Sequence, residues 1–483
     1  MKKFVYLMFF LIIMSDISYS TSLDYYMAAK KRAEIGKLDD AILLYKKALE
    51  ADPSMVAAYI ELGKIYVLRR DNKKALKTFK RAIVNDPSNI EPYLNIGIIH
   101  MKEGNYPKAE RVFKDGLEIN PSNNELRYNY ANSLFKQKKE EKAYIEVNKI
   151  LNDSPSDLNS RILKGKLLLY YLKKLDEAET TFKNILKTNS KNSDVIYELG
   201  VTLQREKKYE KSISKFLEII NDKNQEKSSK IYHKIALCYE KMKNWKMADK
   251  NFKMALIRRP NFSEARNDYG KLLFKLGYVK RAMEQFKKSY RTNPTLIEAG
   301  TNYGNSLFVL KKYDDSLNIF KELIRHHQDS ASLYNSLGKI YIAQGEYDFA
   351  ETSFTKAVKL NKNLDSSYYN LAYIYDERGD YEHAIEMYKK AISYNDKNIM
   401  AMNNLGYLYI NLKRYSEAIS ILKDAIKIDK KFTWAYYNLI LAYYNYGDKN
   451  KAIYYYNKFI RYEKKGTTLY KYCAKLSDLI NYF

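Results

Sequence analysis

Hydrophobic, small and proline residues recur along the chain with a period of about 34 residues. Six of the eight prolines mark this period, because they lie 34 residues apart except across one gap of 105 residues: Pro53, Pro87, Pro121, Pro155, Pro260 and Pro294. That gap holds three periods and three extra residues. Dividing residues 21–466 on this frame predicts thirteen tandem repeats. Repeats 1 to 13 start at Ser22, Val56, Ile90, Asn124, Leu158, Ser193, Ser229, Ser263, Ile297, Ala331, Asp365, Ile399 and Thr433.

Each repeat has the same arrangement of small and large residues. Position 8 is Gly or Ala in twelve repeats, position 20 is Ala or Ser in all thirteen, and large apolar residues occupy positions 4, 7, 11 and 24. Small residues let two helices approach closely, and larger side chains fill the space around them. The pattern predicts two antiparallel helices per repeat. It also predicts a turn near position 15, often glycine, and a proline near position 32 that ends the second helix.

One repeat shows this arrangement with a familiar set of residues: Tyr59-Ile60-Glu61-Leu62-Gly63, Tyr66, Ala75, Phe79, Ala82 and Pro87. The set resembles the tetratricopeptide repeat, and thirteen consecutive matches extend the resemblance over 445 of the 483 residues. The resemblance implies an all-α fold, a right-handed solenoid (superhelix) of antiparallel helix pairs. It also implies a concave groove lined by the first helix of each repeat.

The N-terminal residues follow the pattern of a secretory signal. Lys2 and Lys3 precede an apolar run at 4–14, and Ser18 and Ser20 form a small-x-small cleavage pattern. These features predict a signal peptide at 1–20, because eleven apolar residues are fewer than a spanning helix needs. We therefore expect an exported protein that is periplasmic, cell-envelope or secreted, without an integral membrane span in the mature chain. The alternative is a membrane anchor formed by an uncleaved signal.

The C-terminal residues 467–483 are predicted to form a capping helix. A solenoid exposes the hydrophobic face of its last repeat and needs such a cap. The apolar residues at helical spacing are Leu469, Tyr470, Cys473, Leu476 and Ile480. The only other cysteine is Cys238, so a disulfide framework and a four-cysteine metal site are both excluded. We expect both cysteines to be buried.

Asparagine is enriched on one face of the first helices. Positions 2, 5, 6, 9, 12 and 13 share this face, hereafter the groove face, because neighbours three and four apart stack along a helix. Asparagine occupies position 6 in six repeats and position 9 in two: Asn95, Asn129, Asn302, Asn370, Asn404 and Asn438, then Asn132 and Asn305. Its amide offers a donor and an acceptor to the edge of an extended peptide.

The pattern resembles the asparagine ladder of the nucleocytoplasmic sugar transferase that modifies serine and threonine. That resemblance implies that the asparagines hold extended polypeptide. In the alternative interpretation they cap neighbouring carbonyls or face water.

Aromatic residues share the groove face and are densest in the last three repeats. The candidates there are Tyr369, Tyr373, Tyr407, Tyr437 and Trp434. Aromatic side chains give a large contact area at a low cost in conformational entropy. We therefore expect the docking region at the C-terminal end of the array.

Charge is unevenly distributed along the chain, whose formal net charge is +27. Residues 241–291 carry fifteen Lys or Arg and four acidic residues, whereas 365–398 is acidic. A basic band in repeats 7 and 8 would attract an anionic surface or polymer. An exported protein meets little nucleic acid, so we do not expect a nucleic-acid partner.

The sequence contains no recognisable catalytic or metal-binding motif. The five histidines do not recur at metal-ligand spacing, and there is no phosphate-binding glycine loop or nucleophile elbow. We expect no enzyme activity, cofactor or metal. The predicted function is a protein–protein interaction scaffold of the cell envelope that binds extended polypeptide or partner subunits in its groove. One alternative is an electrostatic tether to an anionic membrane surface or polymer through repeats 7 and 8. Another is an accessory subunit that presents substrate to a separate enzyme.

Overall fold

The computed structural model describes residues 22–221 and 225–482, and these residues form 27 α-helices and no β-strand. The predicted signal peptide at 1–20 lies outside the described residues. The helices are α1 (22–34), α2 (Leu38–Ala51), α3 (Val56–Leu68), α4 (Asn72–Asn85), α5 (Ile90–Lys102), α6 (Tyr106–Ile119), α7 (Asn124–Lys136), α8 (Glu140–Asp153), α9 (Leu158–Tyr170), α10 (Leu175–Thr188), α11 (Ser193–Arg205), α12 (Tyr209–Glu218), α13 (Gln225–Lys241), α14 (Trp245–Arg258), α15 (Ser263–Lys275), α16 (Val279–Thr292), α17 (Ile297–Val309), α18 (Tyr313–His326), α19 (Ala331–Gln344), α20 (Tyr347–Leu360), α21 (Asp365–Glu377), α22 (Tyr381–Tyr394), α23 (Ile399–Asn411), α24 (Tyr415–Ile428), α25 (Thr433–Tyr446), α26 (Lys449–Tyr462) and α27 (Thr468–Tyr482).

The predicted all-α solenoid of antiparallel helix pairs is confirmed. In repeats 2–6 and 8–13 the first helix begins at the residue where the sequence frame starts the repeat. Side-chain capping accounts for several of these starts. In three cases the residue just before the helix has a side chain that accepts a hydrogen bond from a main-chain N–H group in the first turn of that helix. These residues are Asn123, Asp157 and Asn192.

The small residue at position 8 of the first helix leaves room for a large side chain from position 24 of the second helix. A Cβ atom at Gly97 would lie 2.2 Å from the Phe113 ring, and one at Gly338 would lie 2.7 Å from the Phe354 ring. Both phenylalanines are fully buried. Where position 8 is alanine, the partner differs: Ala131 shares a core cluster with Val147. The prediction that small residues bring the two helices together thus has a direct steric basis.

All thirteen turns between paired helices contain a residue in the left-handed conformation. Six of these residues are glycine, and the other seven are Arg70, Lys138, Lys173, Lys207, Lys243, Lys311 and Lys413. The sequence frame predicted only the glycines. A left-handed lysine costs roughly 1 kcal/mol. Its charge lies just beyond the C-terminus of the first helix, where the helix dipole favours a cation and offsets part of that cost.

The chain divides into two compact units, Met1–Asn244 and Trp245–Phe483. The division falls in the turn between α13 and α14 of repeat 7. Two irregularities precede it in the first unit. Helix α12 has only 10 residues, and α13 begins at Gln225, four residues before the predicted start of the repeat. They coincide with the extra residues that the sequence places in repeat 6.

Two glutamates of the first unit share a lysine. The Lys208 Nζ atom lies 2.7 Å from Glu179 Oε2 and 2.8 Å from Glu206 Oε2, and Lys183 Nζ lies 2.6 Å from Glu179 Oε1. Hydrogen bonds from the two lysines lower the pKa of Glu179 to about 2. Burial raises the pKa of Glu206, and the neighbouring Glu179 carboxylate raises it further. The two carboxyl groups therefore affect stability with opposite signs as pH changes.

We expect the Glu206→Gln variant to be more stable than the wild type at pH 7. The folded-state pKa of Glu206 lies above its unfolded value, so ionisation of this group opposes folding, and the neutral amide avoids that cost. The advantage should disappear below about pH 4, where the unfolded-state carboxyl is also protonated. Urea unfolding at pH 4 and pH 7 measures the difference. The exposed Glu210→Gln is the control, and a Glu206→Gln variant less stable than wild type at pH 7 would contradict the prediction.

Candidate functional site in the groove of the last repeats

Two ion pairs show which groove-face positions meet between consecutive repeats. The Lys64 Nζ atom lies 2.6 Å from Glu91 Oε1, and Lys271 Nζ lies 2.9 Å from Glu298 Oε1. In both cases a side chain at position 9 of one first helix contacts position 2 of the next. The repeat geometry therefore pairs positions 9 and 2 along the groove face.

In the last repeats, large apolar residues take the place of these ion pairs. Position 9 and position 2 hold Tyr373 and Met400 at one junction, and Tyr407 and Trp434 at the next. Met400, Tyr407 and Trp434 are 48%, 47% and 49% exposed. Tyr437 extends this surface, with its ring 6.3 Å from the Trp434 ring and nearly perpendicular to it. We call these five residues the aromatic groove surface.

The tyrosines at the inner edge of this surface are partly enclosed. Burial raises the pKa of Tyr373 to about 12, with further contributions from Glu377 and Tyr347. Burial also raises the pKa of Tyr437, and Tyr407 contributes to that shift, which places the two phenols within electrostatic reach of each other. These side chains are uncharged at neutral pH. The surface therefore offers neutral aromatic faces and phenolic hydroxyl groups.

Three of the predicted position-6 asparagines form hydrogen bonds between repeats. Each amide donates to the asparagine at position 5 of the preceding repeat, 35 residues earlier. The bonds run from Asn302 Nδ2 to Asn267 Oδ1 at 2.9 Å, from Asn370 Nδ2 to Asn335 Oδ1 at 3.4 Å, and from Asn438 Nδ2 to Asn403 Oδ1 at 2.9 Å. Asn370 is only 9% exposed and Asn438 only 4%. These amides join neighbouring first helices of the second unit.

The residue at position 5 of the preceding repeat determines which acceptor each position-6 amide bonds to. Asn95 and Asn129 follow Ile60 and Leu94 at that position, which have no side-chain acceptor. Each of the two asparagines donates instead to the main-chain carbonyl four residues earlier in its own helix, at 2.9 Å. Asn404 donates to the hydroxyl of Tyr369, its position-5 partner, at 3.2 Å.

These contacts engage the position-6 amides within the structure, and their role in holding an extended polypeptide stays a prediction. All six position-6 side chains donate hydrogen bonds within the protein. The position-9 asparagines lie differently, since Asn305 is exposed and Asn132 is half-buried. The sequence also places Asn267, Asn335 and Asn403, at position 5, on the groove face. The ladder interpretation did not predict that they accept hydrogen bonds from the position-6 asparagines 35 residues later. Of the predicted residues, Tyr407 and Trp434 are exposed, Tyr437 is half-buried and packs against Trp434, and Tyr373 is half-buried.

Several cations of the predicted basic band are engaged within the second unit. The Lys253 Nζ atom lies 2.6 Å from Asp249 Oδ2, and Lys271 Nζ lies 2.6 Å from Asp268 Oδ1. The Lys275 ammonium lies 4.9 Å from the centre of the Trp245 ring. Part of the positive charge of this band is thus balanced by carboxylates and an aromatic ring of the same chain.

Both cysteines are completely buried. Burial raises the pKa of the Cys473 thiol to about 12 and also raises that of Cys238. A buried thiol with a raised pKa is a poor nucleophile, because the thiolate is the reactive form. Among the described residues, no group of three or more His, Cys, Asp and Glu is placed to hold a metal ion.

Four family models match successive segments of the chain. Tetratricopeptide repeat models match 26–90 and 434–464, the model of anaphase-promoting complex, cyclosome, subunit 3 matches 102–185, and the model of the tetratricopeptide repeat protein 21 C-terminal ARM domain matches 275–435. Together with the helical pairs, these matches support a tetratricopeptide-repeat protein. No curated protein matches the chain.

Solved structures with a similar fold include other repeat proteins. A chain of the APC/C hetero-tetramer Cut9-Hcn1 is 14% identical, with 97% of this chain and 98% of that chain covered and a TM-score of 0.47. A tetratricopeptide repeat protein from Parabacteroides merdae is 15% identical, with 53% and 99% covered and a TM-score of 0.43. MamA is 23% identical, with 34% and 95% covered and a TM-score of 0.32.

The chain is a repeat scaffold of the tetratricopeptide type, an architecture consistent with protein–protein interaction. Solenoids of this type are generally non-catalytic. No helix within 22–221 and 225–482 combines the length and the apolarity that crossing a bilayer requires.

Proposed function

We propose that this protein binds an extended polypeptide through the aromatic groove surface of repeats 11 to 13. The observation that carries the proposal is the change of the position 9–position 2 pair from an ion pair to half-exposed aromatic and thioether side chains. An ion pair satisfies its own charges, whereas Met400, Tyr407 and Trp434 leave apolar area in contact with water. Contiguous exposed apolar area of this kind is typical of binding sites.

The side-chain amides of the groove face suit a peptide ligand. The candidates for contacts to a peptide main chain are the exposed Asn305 and the half-buried asparagines Asn95, Asn129, Asn132, Asn302 and Asn404. Of these, Asn404 lies beside Tyr369, at the edge of the aromatic groove surface. We therefore expect aromatic anchoring in repeats 11 to 13, with main-chain recognition contributed by Asn404.

The test compares wild-type protein, residues 22–483, with the double variant Tyr407→Ala and Trp434→Ala. Proteins captured from a membrane-containing lysate are identified, and overlapping peptides from them are measured by fluorescence anisotropy. Each truncated aromatic anchor costs at least 1 kcal/mol, so we expect the double variant to bind at least tenfold more weakly. Binding through apolar contacts should persist in high salt, because ionic screening affects it little.

A matched control removes two aromatic residues that lie outside the groove face. Tyr381 and Tyr394, on α22, are exposed to a similar degree, so Tyr381→Ala with Tyr394→Ala tests the general effect of losing surface tyrosines. This control should bind as the wild type does. Peptides that bind both double variants equally well would contradict the proposal. Binding that is lost in high salt but unaffected in the groove variant would favour the basic band of repeats 7 and 8.

We also propose that the protein acts outside the cytoplasm, as a scaffold of the cell envelope. This location rests on the charged, apolar and small-residue segments at 1–20, which are typical of a secretory signal. The groove would then bind an exported or envelope polypeptide.

A further inference from the structure

Helix α27 packs as the first helix of a fourteenth repeat. Counted from Thr467, its buried residues Leu469, Cys473 and Leu476 occupy positions 3, 7 and 10. The same three positions are buried in the two preceding repeats, at Ala401, Leu405 and Leu408 and at Ala435, Leu439 and Ala442. The face of α27 that packs on repeat 13 is therefore the face that every first helix turns toward the repeat before it.

The adjacent face of α27, at positions 4 and 8, lacks among the described residues the cover that a complete repeat provides. In a complete repeat, the second helix covers position 8 of the first. Ala29, Ala131 and Ala372 are fully buried at this position, whereas Ala474 of α27 is only half-buried. Tyr470, at position 4, is also half-buried. Among the residues that the structure describes, no second helix covers α27.

Position 28 of repeat 13 shows the same missing contact. This position is aliphatic or aromatic in every repeat. In repeat 8 its side chain reaches the second helix of the next repeat, where the Tyr290 hydroxyl donates to Glu322 Oε1 at 2.9 Å. In repeats 11 and 12 the residues are Ile392 and Ile426, which are half-buried. Ile460 of repeat 13 is 41% exposed. We call Ile460, Tyr470 and Ala474 the terminal seat.

Positive charge surrounds the terminal seat. The exposed basic residues there are Arg461, Lys464, Lys465, Lys471 and Lys475. No ion pair joins them to a carboxylate of residues 22–221 or 226–476, where the side chains are described. The acidic side chain in this stretch, Glu463, accepts a hydrogen bond from the Thr467 hydroxyl at 2.9 Å. An acidic ligand would therefore meet a group of exposed cations that outnumbers the acidic residues of 461–483.

We propose that the terminal seat binds an acidic amphipathic helix of a partner protein, in the place that the second helix takes in a complete repeat. The internal repeats define the occupant. A large apolar side chain would pack on Ala474, as Val147 packs with Ala131 in repeat 4, and a second apolar residue would cover Ile460. Acidic residues on the flanks of the helix would face Lys471 and Lys475. This interaction uses none of the aromatic groove surface.

The probe is a peptide with the sequence of α10, residues 175–188, carrying Lys183→Glu and Lys187→Glu. It retains Ala178, Phe182 and Ile185, which are the buried residues of a second helix, and its net charge is strongly negative. The peptide is acetylated, amidated and fluorescently labelled. Anisotropy with protein of residues 22–483 should show saturable binding that weakens as salt rises. A peptide that also carries Phe182→Ala should bind at least tenfold more weakly.

Two protein variants locate the binding site. Ala474→Phe fills the seat and should reduce binding at least tenfold, and Ile460→Asn should reduce it about fivefold. The control is Ile257→Asn, which changes an exposed isoleucine of α14 and should bind as the wild type does. Circular dichroism establishes that each variant is folded. Three results would overturn the proposal. The first is an absence of saturable binding, and the second is equal binding by the two seat variants and the wild type. The third is a loss of binding caused by Tyr407→Ala with Trp434→Ala.

Discussion

Replacing Gly97 by alanine should lower the free energy of unfolding of the first unit by about 2 kcal/mol, the typical cost of overpacking a core. The added methyl group would lie 2.2 Å from the Phe113 ring, which is fully buried. The two helices of repeat 3 would have to separate, and their neighbours would lose contacts. Urea unfolding followed by circular dichroism measures the loss as a lower midpoint with an unchanged slope.

The next repeat supplies the matched control for this substitution. Repeat 4 already combines an alanine at position 8 with a smaller partner, Ala131 with Val147. The double variant Gly97→Ala with Phe113→Val copies that pair and should recover part of the stability lost by Gly97→Ala alone. A single variant as stable as the wild type would show that the ring can move aside. The steric account of position 8 would then be wrong.

Replacing Asn403 by leucine should cost the second unit about 2 kcal/mol, because it leaves a buried amide without its acceptor. Asn438 is 4% exposed, and its Nδ2 atom donates to Asn403 Oδ1 at 2.9 Å. Leucine has a similar size but offers no acceptor. The double variant Asn403→Leu with Asn438→Leu removes both polar groups and should be more stable than the single variant. Thermal and urea unfolding of the four proteins form a double-mutant cycle.

Asn95→Leu is the control for this cycle. The Asn95 amide bonds to a carbonyl of its own helix and is only half-buried, so its replacement should change stability by less than about 0.5 kcal/mol. A cycle with no coupling between positions 403 and 438 would contradict the assigned hydrogen bond.

The repeat frame of the sequence was sufficient to predict most of the fold. Gly or Ala at position 8, together with the spacing of the prolines, placed the start of the first helix correctly at Val56, Ile90 and most later repeats. The frame could not predict that lysine adopts the left-handed conformation in the turns, because propensity alone favours glycine or asparagine there. It also did not predict the early start of α13, which comes after the two extra residues that the sequence places in repeat 6.

The candidate site was only partly predictable, for a different physical reason. Periodicity assigns a residue to a face of its own helix, but the neighbouring helix decides whether that residue is solvent-exposed. The periodicity places Asn438 on the groove face, but in the structure its amide donates a hydrogen bond to Asn403 of the preceding repeat. Trp434 and Tyr407 remain half-exposed, because no neighbouring side chain covers their outer faces. To predict which groove-face residues are covered by a neighbour, each position must be compared with the residue 35 positions earlier, rather than with the equivalent residue 34 positions earlier.

The asparagine pairs also constrain how the array can gain or lose modules. They join repeat 8 to 9, repeat 10 to 11 and repeat 12 to 13, so the bonded partners recur every second repeat. Inserting one repeat between repeats 10 and 11 would separate Asn335 from Asn370 and leave both amides facing new neighbours. Duplicating repeats 10 and 11 together would carry the pair along intact. In this half of the chain, a duplication or insertion that keeps such a bonded pair of repeats together is therefore less disruptive than one that falls between its two members.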